Sequence, residues 1–190
     1  MKSLKLQFES LLDDEDIFYG TNSDKKFIKN WIKDNYKFSG KLTILDDFIV
    51  DCTGFAYVKN KSITSLTNGL FRWGRVSGNF DCSECDNLTS LEGAPEEVGK
   101  GFDCAYCSNL KSLQGAPQSV GGNFYCSHCI NLTSLEGAPE TVGGKFSCSM
   151  CENLKSLKGA PKKVGLEFFC SNCPGLNISD SDYKKYRIVY

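Results

Sequence analysis

The sequence predicts an α+β repeat protein: a parallel β-solenoid with a helical N-terminal cap and non-helical return segments. Three observations carry this. Five Cys-x-x-Cys pairs, Cys82/Cys85, Cys104/Cys107, Cys126/Cys129, Cys148/Cys151 and Cys170/Cys173, recur every 22 residues. Phe80, Phe102, Phe124, Phe146 and Phe168 stand in phase before them, and Leu88, Leu110, Leu132, Leu154 and Leu176 in phase after them. Four of the five prolines, Pro95, Pro117, Pro139 and Pro161, close the same point of successive units, which excludes a helix there. A fixed period of this length belongs to solenoids, whose units bury their apolar faces against one another.

The elements follow in order. Residues 1–40 are expected to form a helical cap. Phe8, Leu11 and Leu12 give one short apolar face, and the run Asp13–Asp16 leads into a loop. A second helix is expected with Ser23 as N-cap, with Phe27, Ile28, Trp31, Ile32 and Tyr36 on one face and Gly40 as its end. Residues 41–78 read as a strand-rich cap, with strands at Leu42–Leu45, Phe48–Val50 and Phe55–Val58. The last of these opens a degenerate repeat that aligns Phe55 with Phe80, Tyr57 with Cys82, Asn60 with Cys85 and Ile63 with Leu88. Its insert, Leu70-Phe71-Arg72-Trp73, is either core of the cap or a secondary contact surface. Residues 79–176 hold five regular units: a strand, a bend with the second cysteine and an asparagine, then Ser-Leu-x-Gly-Ala-Pro and a Val-Gly return. Residues 177–190 break the pattern and read as a C-terminal cap.

The frame Phe-x-Cys-x-x-Cys-x-x-Leu resembles the leucine-rich-repeat frame, Leu-x-Leu-x-x-Asn/Cys-x-x-Leu. The degenerate unit has the usual asparagine, Asn60, in the place of the second cysteine. The Ala-Pro-x-x-Val return looks like that of bacterial leucine-rich-repeat effectors, and the wording Leu-Thr-Ser-Leu-Glu-Gly-Ala-Pro is similar to repeat proteins of phage and bacterial genomes. The resemblance covers about residues 55–176. It implies a leucine-rich-repeat solenoid that binds a protein on its concave strand face, in a host–virus setting, and acts in the cytoplasm of the host cell if it is phage-encoded. Effectors of this type carry an enzymatic domain after the repeats; only about 14 residues follow residue 176 here, so no such domain is expected.

Composition narrows the function classes. A formal charge of -1 supplies no field that would draw nucleic acid or an anionic membrane. No segment approaches the ~20 apolar residues of a membrane span, and the N-terminus has no apolar stretch of signal-peptide type. A cytoplasmic protein is expected, with its eleven cysteines reduced. The pairs have zinc-ribbon spacing, so a zinc-binding protein is the alternative reading. The 22-residue period already accounts for the spacing, however, and both cysteines of a pair fall at core positions of the frame. Free cysteine serves there as a small hydrophobe and weak donor, with no cofactor. Asn87, Asn109, Asn131 and Asn153 are expected as an internal column bonding the bend.

Positions that vary between units while their neighbours do not are the candidate binding surface. Strand side chains alternate, so with Phe102 and Cys104 inward, Gly101, Asp103 and Ala105 face out. The outward columns supply Asp81, Asp103, Tyr125 and Phe169, then Glu84, Tyr106, His128 and Met150, and Lys145 from the column before the phenylalanine. Exposed aromatics and methionine on a rigid scaffold favour interfaces. His128, the only histidine, has no acid, base or nucleophile pattern around it, so no enzyme is expected. The return segments drift from Glu92, Glu96 and Glu97 to Lys158, Lys162 and Lys163, a pattern of solvated surface or of self-association through the ends.

Overall fold

The computed structural model describes residues 22–189. It is a parallel β-solenoid of about six turns, preceded by one helix. Helix α1 (Asn22–Asn35) leads into strands β1 (Tyr36–Phe38), β2 (Leu42–Ile44), β3 (Ile49–Cys52), β4 (Ala56–Val58) and β5 (Arg72–Val76). Each regular turn then supplies two short strands. The first series is β6 (Phe80–Asp81), β8 (Phe102–Asp103), β10 (Phe124–Tyr125), β12 (Phe146–Ser147) and β14 (Phe168–Phe169). The second is β7 (Glu97–Val98), β9 (Ser119–Val120), β11 (Thr141–Val142) and β13 (Lys163–Val164). Helix α2 (Asp180–Lys185) and β15 (Ile188–Val189) follow.

Two sheets result. One runs β1-β4-β6-β8-β10-β12-β14-β15 and the other β13-β11-β9-β7-β5-β3-β2. The return segments are therefore a second parallel sheet. Val98, Val120 and Val142 bury one face of it, and the proline at the start of each return leaves its two residues free to pair. The glycines after each valine allow the turns to approach: a Cβ on Gly121 or Gly143 would overlap the carbonyl of the equivalent glycine one turn earlier.

Between the sheets lies one core. Phe80, Phe102, Phe124, Phe146 and Phe168 are fully buried and stacked, their centroids 5.5, 5.1, 5.3 and 4.9 Å apart along the column. Each such side chain contributes ~1.5–3 kcal/mol by leaving water. Tyrosines close both ends of the stack. Tyr36 stands 6.0 Å from Phe80 and its hydroxyl donates to the Leu66 carbonyl at 2.6 Å. Tyr186 stands 4.8 Å from Phe168 and its hydroxyl donates to the Pro161 carbonyl at 2.6 Å.

The expected helix face of Phe8, Leu11 and Leu12 lies outside the described residues. The rest of the cap differs in three details from the expectation. Helix α1 stops at Asn35, whose carbonyl accepts the amides of Lys59 and Asn60, and the chain turns into β1, antiparallel to β4. Ile28 and Ile32 are buried, but Phe27 is 46% exposed, and Gly40, at φ +73, forms the turn between β1 and β2. Finally, β4 pairs Ala56 with Phe80 and Tyr57 with Asp81, a one-residue slip from the expected alignment, whereas Ile63 closes on Asn60 as Leu88 closes on Cys85. Small Ala56 leaves room for the rings of Tyr36 and Trp73, both 6.0 Å from Phe80. Phe55 and Tyr57 are thereby turned outward and stack at 4.5 Å. In the insert, Leu70, Phe71 and Trp73 are buried.

Candidate functional site

The paired cysteines belong to the core. All are free thiols, and only Cys173 is partly exposed. The second thiol of a pair donates to the backbone of the turn before it: Cys107 to the Cys82 carbonyl, Cys129 to Cys104, Cys151 to Cys126 and Cys173 to Cys148, at 3.2–3.3 Å. First thiols donate the other way, Cys104 to Tyr125 and Cys126 to Ser147, both at 3.3 Å. Burial, reinforced by neighbouring thiols, pushes Cys151 up to about 12 and Cys82, Cys104, Cys126 and Cys148 well above the ordinary thiol range. Among the described residues, no three His, Cys, Asp or Glu side chains are grouped to hold a metal ion.

The asparagines also tie turns together, from outside. Asn109, Asn131 and Asn153 are exposed, and their side-chain amides donate to the carbonyls of Asp86, Ser108 and Ile130 in the preceding turn at 2.7–2.9 Å. They are not an internal column, because the chain after the second cysteine already lies at the surface.

The outer face of the first sheet carries two side-chain ladders. The strand ladder reads Tyr57, Asp81, Asp103, Tyr125, Ser147 and Phe169 from rung to rung. It is interrupted at Ser147, which is buried and shares a 2.7 Å hydrogen bond with Ser127. Ala105, expected to face out, is also buried, since its methyl is too short to emerge between its neighbours. The second ladder, at the bend, reads Glu84, Tyr106, His128, Met150 and Asn172. All five adopt φ between +56 and +60°. Tyr106 is 51% and Met150 38% exposed, and Tyr106 stacks on His128 at 4.2 Å.

The candidate residues thus separate into three groups. Asp81, Asp103 and Tyr125 line a shallow groove of about 370 Å³, whose other wall is Tyr57. Asp81 accepts the amide and hydroxyl of Ser83, and Asp103 accepts the Ala105 amide at 2.9 Å. Burial raises the Asp103 carboxyl, and its local amide bond offsets part of this. Glu84, Tyr106, His128 and Met150 form the bend ladder. Lys145 and Phe169 stand apart, the ammonium 5.4 Å from the ring and 3.8 Å from Glu167. The sequence reading missed Tyr57, assigned to the core by the shifted alignment. The alternation of Ala56 and Val58, both apolar at strand spacing, is the signal that places Tyr57 outside.

The chain matches no protein-family model, no curated protein and no solved structure. Among the described residues, no helix is long and apolar enough to cross a membrane.

Proposed function

We propose that this protein is a non-enzymatic recognition module that binds a partner protein on the outer face of its first sheet. The bend ladder carries the reading. A left-handed backbone costs an L-residue with a bulky side chain roughly 1–2 kcal/mol, and glycine or asparagine avoids most of it. Asn172 follows that preference, whereas Tyr106 and Met150 hold central rungs with exposed side chains, and His128 stands half-buried between them against the Tyr106 ring. Side chains retained against the preference of their own backbone, and buried in nothing, are best accounted for by what they touch outside the molecule.

The finer reading is a leucine-rich-repeat array of the phage and bacterial type, acting in a bacterial cytoplasm as an inhibitor by occupancy. The repeat frame and Asn60 support it. The second cysteines give no support to zinc binding, since Cys107, Cys129 and Cys151 donate their thiols to backbone carbonyls. Photo-crosslinking tests the function. A photoreactive residue at His128 is expected to capture one discrete bacterial protein, and the same residue at Thr133, away from the ladder, none. Loss of the capture on Tyr106→Ala with Met150→Ala completes the expected result. Equal crosslinking from both positions, or from neither, refutes the reading. Capture of a second copy would make the face a self-association surface.

A further inference from the structure

We propose that the groove between Tyr57 and Tyr125 is a subsite for one arginine side chain of the partner, its guanidinium bridging the carboxylates of Asp81 and Asp103. This deepens the recognition reading and rests on it. Consecutive rungs place Tyr57, Asp81, Asp103 and Tyr125 side by side, with the tyrosines about 14 Å apart. Both walls are braced: Tyr57 by the Phe55 ring at 4.5 Å, Tyr125 by the Asn123 side-chain amide, which donates to its hydroxyl at 2.7 Å.

The floor has unmet charge. Each aspartate spends one oxygen, Oδ1, on its own turn. Among the described residues, neither carboxylate forms an ion pair, although Lys100 lines the rim and the Lys61 ammonium lies nearby, donating to the Ser83 carbonyl at 2.6 Å. Adjacent carboxylates on neighbouring rungs suit a planar fork with donors on two edges, which favours guanidinium over ammonium.

The test is a titration of the full-length protein with N-acetyl-arginine-amide, followed by backbone NMR at constant ionic strength. The isosteric neutral probe is N-acetyl-citrulline-amide. To roughly 50 mM, enough for a site of millimolar affinity, the arginine probe is expected to shift the amides of Tyr57, Asp81, Asp103 and Tyr125. The citrulline probe should leave them in place. Asp81→Asn with Asp103→Asn keeps both turn-forming acceptors and should weaken the response about tenfold or more. Lys100→Gln should strengthen it. Equal shifts with citrulline, shifts that survive the double substitution, or none at these residues overturn the proposal. Those outcomes leave the recognition reading standing if position 128 still captures a partner. Arginine binding without any captured partner would remove the broader reading and keep the groove.

Discussion

Tyr106, His128 and Met150 occupy a backbone conformation that glycine and asparagine hold at lower cost, so on the proposed recognition reading function and stability pull apart at these residues. His128→Asn should therefore keep the thermal midpoint or raise it by up to about 3 °C, while taking the imidazole out of the bend ladder. His128→Val should lower the midpoint, because a β-branched side chain tolerates the left-handed region least. Circular dichroism melts of the two variants check this. A lower midpoint for His128→Asn would mean that the stack on Tyr106 serves the fold. The conformation itself was not legible in the sequence: apart from His128 and Asn172, none of the five residues is a type enriched in a left-handed backbone.

At the scale of elements, the repeated strands were legible because every rung repeats the same inward Phe and Cys. The ends were not. The slip at β4 follows from the space that Tyr36 and Trp73 need beside Phe80, a tertiary demand that no local pattern records. Tyr186, read only as part of a C-terminal cap, proves to be the counterpart of Tyr36. It closes the Phe stack, while α2, with its Ser179 capping box, carries the chain to it and β15 adds to the sheet edge. Tyr186→Phe leaves the Pro161 carbonyl without its donor and should cost about 1–2 kcal/mol. Tyr186→Ala also uncovers Phe168 and should cost about 3 kcal/mol or more. Turns of a solenoid contact only their neighbours. Hydrogen exchange should therefore quicken in Tyr186→Ala at the Phe168 and Cys170 amides, which pair with Arg187 and Val189, and stay slow at Phe102. Uniform acceleration along the column would show instead that the array unfolds as one unit.

Across the whole molecule, the thiols form a ladder that couples the five regular turns to one another, and the ladder makes stability depend on pH. The thiols titrate near 9 when unfolded, and burial holds Cys107 and Cys151 at about 12 in the fold. Between these values the unfolded chain binds fewer protons than the folded one, so stability falls as pH rises; below the unfolded value the contribution is present in full. Each fully buried thiol contributes a slope of about 1.4 kcal/mol per pH unit, and several act together. Under reducing conditions the urea midpoint should stay level from about pH 7 to 8 and drop steeply above about 9. Metal-bound thiolates would reverse the trend, because deprotonation favours coordination, and a chelator would then lower the midpoint already at neutral pH. A midpoint that rises with pH and collapses in chelator would exchange the carbonyl-bonded thiol ladder for a metal-linked one. A midpoint that falls with pH and ignores the chelator fixes the cysteines as core, and leaves the outer ladders as the part of each repeat free to vary for recognition.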